Sequence, residues 1–155
     1  RWPVMRLNLR RIIFDIFQEE GDTLKEGQYS PWGKVQTCDT LYPGIYLVTT
    51  PSHGGIMVDS TAAFFLTSHA QKCGFREGGY LCFEEDCCEQ VVLRELMDRG
   101  LWVPPDRIKD KAAFEQDIND SIQRWHPDYW KARETGKTTP KPVQRPRPEK
   151  GGPTR

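Results

Sequence analysis

The feature that most constrains the fold is a set of three short runs of strand-favouring residues, separated by turn residues. Residues 34–39, 45–50 and 56–58 are rich in Val, Ile, Leu, Tyr and Thr, the residue types that favour strands. Tyr42-Pro43-Gly44 lies between the first two runs, and Ser52-His53-Gly54-Gly55 lies between the last two. Because both stretches suit tight turns, the pattern predicts three short antiparallel strands.

Helix signals and one further strand follow these runs. Asp59 or Ser60 can cap a helix that restarts at Ser68 and ends at Gly74. Residues 80–83 are apolar and aromatic, which predicts a fourth strand.

Two longer helices are predicted in the second half of the chain. Asp86 and Glu89 have the spacing of a capping box, and Gly100 is a natural stop for the helix that would follow. Apolar residues then recur every three or four positions over residues 110–125, until His126-Pro127 breaks the pattern. The fold class predicted for the chain is therefore α+β, a small antiparallel sheet with packed helices.

The two ends of the chain differ from this middle part. Residues 1–20 have the periodicity of an amphipathic helix, for which docking on the chain's own domain is favoured over a membrane or another helix. Residues 131–155 are basic and proline-rich and have no apolar periodicity, so we expect a disordered tail. A single compact domain is expected over residues 27–130, because 155 residues do not fill two cores well.

Charge and cysteine content limit the partners and the compartment. The formal charge is zero overall, but residues 1–17 carry +3, residues 18–130 carry −9 and residues 131–155 carry +6. Any nucleic-acid contact is therefore expected only through the basic ends. No apolar run is long enough to span a membrane, Arg10 and Arg11 interrupt any signal-peptide core, and the five cysteines are an odd number. These features predict free thiols and a cytoplasmic location.

The first candidate for a functional site is the loop Ser52-His53-Gly54-Gly55. Two glycines leave the backbone bare, so the His53 imidazole, Ser52 and the amides of Gly54 and Gly55 could face a ligand. A solvated histidine beside two turn glycines is the plainer interpretation.

The second candidate is the acidic cluster Glu84-Glu85-Asp86 at a strand-to-helix junction. Its carboxylates could bind a divalent cation or act as a general base, whereas helix capping explains them without a ligand. The loop and the acids each follow a strand, so neighbouring strands could bring both to one edge of the sheet. A candidate catalytic set of His53, Glu84, Glu85 and Asp86 follows from that arrangement.

Two cysteine-based alternatives are weaker. Cys87 could be a nucleophile at a helix N-terminus, but the neighbouring carboxylates oppose a thiolate. His69, Cys73, Cys82 and Cys87 could in principle bind zinc, yet they lack the usual Cys-x2-Cys spacing. Structural thiols and no metal site or cofactor are the predictions.

Four motifs occur together in this chain: Ser-Pro-Trp-Gly-Lys at 30–34, Tyr-Pro-Gly-Ile at 42–45, Ser-His-Gly-Gly at 52–55 and Glu-Glu-Asp-Cys at 84–87. Their order resembles an uncharacterised domain family of bacterial mobile-element, plasmid and phage proteins. The resemblance implies no activity. It implies a cytoplasmic accessory or interaction protein with an unknown protein partner. Such a protein could act in regulation or in countering host defence. The alternative is a small hydrolase-like or metal-dependent enzyme that uses His53 with Glu84, Glu85 or Asp86.

Overall fold

The structure is a computed structural model that describes residues 24–139. The amphipathic helix predicted over residues 1–20 lies outside the described residues. The strands are β1 (Tyr29–Ser30), β2 (Gly33–Lys34), β3 (Thr37–Tyr42), β4 (Ile45–Thr49), β5 (Gly54–Asp59), β6 (Phe75–Glu77) and β7 (Tyr80–Glu84). The helices are α1 (Ser60–Ala63), α2 (Ser68–Gln71), α3 (Glu89–Asp98), α4 (Lys111–Trp125) and α5 (Pro127–Glu134).

Antiparallel pairing organises all seven strands. β1 and β2 form a small hairpin, and the other five form a sheet in the order β3-β4-β5-β7-β6. The predicted turn at Tyr42-Pro43-Gly44 joins β3 to β4, and Gly44 has the positive φ of 81° that such a turn requires. The three predicted strands are therefore confirmed, although the first begins at Thr37 because Gly33–Lys34 pairs with β1 instead.

Helices cover one face of the sheet and so confirm the predicted α+β class. This helix-side core joins Ile56, Val58, Leu81 and Phe83 of the sheet to apolar residues of the helices, which include Leu93, Leu96, Ile118, Ile122 and Tyr129. The opposite face carries a second, smaller core made of Leu24, Val35, Tyr46, Val48, Met57 and Cys82. Both faces of the central strands are thus buried, which is why β4 and β5 read as continuous apolar runs.

Local polar signals fix three helix boundaries as predicted. Asp59 Oδ1 accepts a hydrogen bond from the Ala62 amide at 2.7 Å at the start of α1, and Asp110 Oδ1 caps α4. Gly100, with φ of 66°, ends α3, and the Leu101 amide closes the turn by donating to the Leu96 carbonyl at 2.9 Å.

The capping box predicted from Asp86 and Glu89 is wrong. Helix α3 begins at Glu89, and its N-cap is Cys88, whose side chain makes no capping hydrogen bond. The Cys88 amide donates instead to the Glu84 carbonyl at 3.0 Å, so a separate turn stands between β7 and α3. Asp86 is an exposed residue of that turn.

The boundary predicted for the basic tail is also wrong. His126-Pro127 ends α4, but Pro127 then takes the first turn of α5, where the missing amide proton costs nothing. Residues 131–134 therefore belong to a helix, and Ala132 and Thr138 are buried beyond the predicted boundary. Residues 140–155 lie outside the described part of the chain.

A buried charge network joins the last three helices. Asp98 on α3 accepts hydrogen bonds from Arg94 on the same helix and from Arg133 on α5, at 2.8 to 3.0 Å. The Arg94 side chain is only 5% exposed and also donates to Glu115 and Asn119 on α4. Arg94 therefore links α3 to α4, and Asp98 links α3 to α5 through Arg133.

We expect Asp98→Ala to lower the free energy of unfolding by about 2–3 kcal/mol, because Arg94 stays buried after losing a charged partner. The matched control is Asp106→Ala, which removes the partner of Lys111 from an exposed ion pair and should change stability by less than about 0.5 kcal/mol. Urea unfolding of both variants measures the difference. Equal losses in the two variants would contradict a structural role for the network.

Candidate functional site

Three of the four motifs meet at one end of the five-stranded sheet. Thr49, the last residue of β4, pairs with Gly54 at the start of β5. Gly55 pairs in turn with Glu84, the last residue of β7. The Glu85 amide extends this ladder by donating to the Gly54 carbonyl at 3.1 Å. The histidine-containing loop and the acidic cluster are therefore neighbours.

Thr50 forms hydrogen bonds that join the loop 50–53 to the turn between β1 and β2, which contains Trp32 and is called the Trp32 turn below. Its hydroxyl lies 2.7 Å from the His53 carbonyl and 3.1 Å from the Trp32 carbonyl, and it accepts a hydrogen bond from the His53 amide at 3.2 Å. The Thr50 amide also donates to the His53 carbonyl at 2.8 Å. One buried hydroxyl thus positions the backbone of two motifs.

Gly55 provides the flat surface on which the Trp32 indole packs. A Cβ atom at this position would overlap both the Trp32 ring and the Phe83 carbonyl oxygen. Trp32 also makes an edge contact with Phe75, at 6.3 Å between ring centroids. Packing therefore requires the second glycine of the Ser-His-Gly-Gly motif.

His53 faces one of the three predicted carboxylates. Its Nδ1 lies 4.0 Å from Glu85 Oε1, an ion-pair distance that is too long for a direct hydrogen bond. The His53 side chain is 55% exposed and that of Glu85 is 25% exposed. Glu84 faces a different group, since its Oε2 lies 4.0 Å from Cys87 Sγ. The arrangement is an open polar edge at which a cation or a hydrogen-bond acceptor could be bound.

The fourth motif, at 42–45, lies at the opposite end of the sheet. Gly44 packs against the Asp59 carboxylate and the Ala62 methyl group, and the Asp59 amide donates to its carbonyl at 2.8 Å. This motif links the β3–β4 turn to the start of α1, which is a structural role.

A family profile described as "Domain of unknown function (DUF7007)" matches residues 25–149. The chain belongs to this family. The match covers all four motifs and nearly all of the described residues. No curated protein and no solved structure matches the chain.

The four residues of the zinc alternative do not come together in this DUF7007 domain. Cys82 belongs to the core on the opposite face of the sheet, whereas Cys73 and Cys88 pack against the helix-side core. Residues 24–139 contain no group of three or more His, Cys, Asp or Glu side chains that could hold a metal ion. All five cysteines are free thiols, and burial raises the pKa of Cys73 and Cys82 to about 11.

One histidine near the acidic turn was not singled out by the sequence. His126 is the residue between α4 and α5, and burial lowers its pKa, an effect partly opposed by hydrogen bonding to the Cys87 backbone. Its Nε2 is buried without a hydrogen-bond partner among the described residues. A proton on Nε2 would therefore have no acceptor among the described residues. The contact of His126 with the Cys87 backbone joins residues far apart in the chain, so the sequence does not reveal it.

Gly55→Ala is expected to lower the free energy of unfolding by about 2–4 kcal/mol, because the new methyl group must displace Trp32 or the β7 backbone. Gly78→Ala is the matched control. Gly78 has open space around it but a φ of 57°, so the cost should be conformational only, about 1 kcal/mol. Chemical unfolding of both variants provides the comparison, and a Gly55→Ala variant as stable as Gly78→Ala would refute the packing role.

Stability is expected to fall as the pH is lowered through the range just below about 6.5. Because the pKa of His126 is lowered in the folded chain, the unfolded chain binds more protons there and is favoured. The His126→Gln variant should lose less stability between about pH 7.5 and about pH 5.5 than the wild type. Urea midpoints at the two pH values measure this, and an unchanged pH dependence in His126→Gln would exclude His126 as its source.

Proposed function

We propose that this chain is a non-enzymatic accessory protein of a bacterial mobile element that acts in the cytoplasm by binding a protein partner. The observation that supports this most is the convergence of three motifs on one exposed edge, with His53 and Glu85 4.0 Å apart at its centre. The mobile-element setting comes from the resemblance carried by the four motifs. A regulatory role and a role in countering host defence both fit such a protein.

The exposure of the edge favours binding over catalysis. The His53 side chain is more than half exposed and is open to solvent, whereas catalytic groups usually work in a site from which water can be excluded. The backbone beneath it is held by Thr50 and by the β5–β7 ladder, so little conformational entropy would be lost on binding. A rigid, exposed polar edge is well suited to recognition.

The charge of the edge indicates the chemistry of the partner. Glu84, Glu85 and Asp86 follow one another beside His53, and residues 18–130 together carry a net charge of −9. Arg or Lys side chains on the partner would complement these carboxylates and would speed association. We therefore expect a partner with a basic surface patch, and an interaction that weakens as salt is raised.

A second candidate function is a small hydrolase-like enzyme. The observation that favours it is again the His53–Glu85 pair, because a carboxylate can orient an imidazole that acts as a general base. The metal-dependent form of this alternative has less support, since the described residues offer no set of ligands for a metal ion.

The decisive experiment compares His53→Ala and Glu85→Gln with His69→Ala, which alters a histidine on α2 and none of the residues assigned to the edge. Crosslinking in the native host should join one basic protein to the wild type and to His69→Ala, and both edge variants should lose that product. The edge variants should unfold within about 0.5 kcal/mol of the wild type, because the altered groups are at the surface.

Two results would contradict the proposal. A partner that both edge variants retain would move recognition to another surface. Turnover of a substrate by the purified chain, lost in His53→Ala without any stable complex, would favour the enzyme.

A further inference from the structure

Two adjacent thiols stand side by side in the turn between β7 and α3. The Sγ atoms of Cys87 and Cys88 are 2.8 Å apart, and both residues are half-buried. Cys88 is the N-cap of α3, and Cys87 lies beside the Glu84 carboxylate. The pair is therefore held in contact by the same turn that carries the acidic cluster.

The thiols of the other three cysteines donate hydrogen bonds to backbone carbonyls instead. Cys38 donates to Leu24, Cys73 to His69 and Cys82 to Tyr80, at sulfur–oxygen distances of 3.4 to 3.9 Å. Cys87 and Cys88 differ from these in having another thiol as their neighbour.

We propose that Cys87 and Cys88 form a redox-active dithiol that peroxide oxidises to a disulfide between adjacent residues. This site is independent of the proposed binding function and lies between Glu85, which faces His53, and the first turn of α3.

The reaction balances with hydrogen peroxide as the oxidant. The Cys87 thiolate attacks one peroxide oxygen, the O–O bond breaks, and the leaving hydroxide takes a proton to become water. Cys88 then attacks the sulfur of the resulting sulfenic acid, the S–O bond breaks, and a second water leaves with the Cys88 proton. The two sulfurs together lose two electrons, and the peroxide gains them.

The order of attack follows from the surroundings of the two sulfurs. Burial, with a further contribution from Cys87, raises the pKa of the Cys88 thiol to about 12, so Cys88 is the poorer first nucleophile. Cys88 is nevertheless in contact with Cys87, so its sulfur is within reach of a sulfenic acid on Cys87.

The bond would be reversible because its ring is small. Consecutive Cα atoms are about 3.8 Å apart across a trans peptide, whereas most disulfides join Cα atoms about 4.4–6.8 Å apart. Strain of this kind makes a disulfide easier to reduce. Such a bond is suited to a transient modification and not to holding the fold together.

The test treats the reduced full chain with graded hydrogen peroxide, alkylates the remaining thiols and measures the intact mass. Alkylated thiols should fall from five to three, and dithiothreitol should restore all five. Trypsin releases residues 77–94 as one peptide that contains Cys82, Cys87 and Cys88, and its single alkyl group should be on Cys82. Retention of five alkylated thiols, or a bond to any other cysteine, would overturn the proposal.

Serine variants then assign the two roles. In Cys88→Ser the sulfenic acid should persist on Cys87 and react with dimedone, whereas Cys87→Ser should lose the early oxidation. Cys73→Ser is the matched control, and it should still lose two alkylated thiols. A dimedone adduct that forms on Cys88 first would contradict the assignment. So would a Cys73→Ser variant in which peroxide leaves Cys87 and Cys88 unoxidised.

Discussion

The contact between the Trp32 indole and the bare backbone of Gly55 is the constraint on which this end of the molecule depends. Any side chain at Gly55 would collide with Trp32 or with the Phe83 carbonyl, so the hairpin β1–β2 can lie on the sheet only if this residue is glycine. Thr50 adds directionality, because its hydroxyl bridges the backbones of Trp32 and His53. Steric fit and one buried hydroxyl together bring distant motifs to a single place.

The opposite end of the sheet uses the same kind of residues for a different purpose. Gly44 and Asp59 join the β3–β4 turn to α1 through the Asp59 amide and the Asp59 cap on Ala62. Nothing in that set leaves a polar side chain exposed beside an ion-pair partner, as His53 and Glu85 are. The end with Gly44 and Asp59 therefore has a structural role, whereas the end with His53 and Glu85 presents polar side chains to solvent.

The helical layer depends on charge as well as on apolar packing. Arg94 is buried among Asp98, Glu115 and Asn119, and Asp98 also holds Arg133. A shift of α4 along α3 would take Glu115 and Asn119 away from the buried Arg94 guanidinium. Helix α3 follows directly on the β7–α3 turn, which carries both the acidic cluster and the adjacent thiols.

Local patterns predicted what depends on local physics. Turn glycines, the cap at Asp59 and the stop at Gly100 were predicted, because a positive φ or an unpaired amide selects particular residues. The sequence also indicated that the histidine loop and the acids could meet, because each follows a strand.

What the sequence could not provide arises from tertiary contacts. Strand β6 consists of three exposed residues and has no alternation of apolar and polar residues. Only its pairing with β7 shows that it is a strand. Helix α5 begins at Pro127, and in the sequence a proline at this position indicates the end of one helix as well as the start of another. The packing of Trp32 on Gly55 joins residues far apart in the chain, so no spacing rule reveals it.

The central claim is that the Trp32 turn, the histidine loop and the acidic turn are one structural unit fastened by Thr50. Amide hydrogen exchange in Thr50→Val tests it most directly, because valine keeps the shape and removes the bridging hydroxyl. The amides of Trp32, His53 and Glu85 should lose protection together, while that of Asp59, which bonds to Gly44 at the far end, should be unchanged. Faster exchange at His53 alone, with Trp32 and Glu85 as protected as in the wild type, would contradict the account.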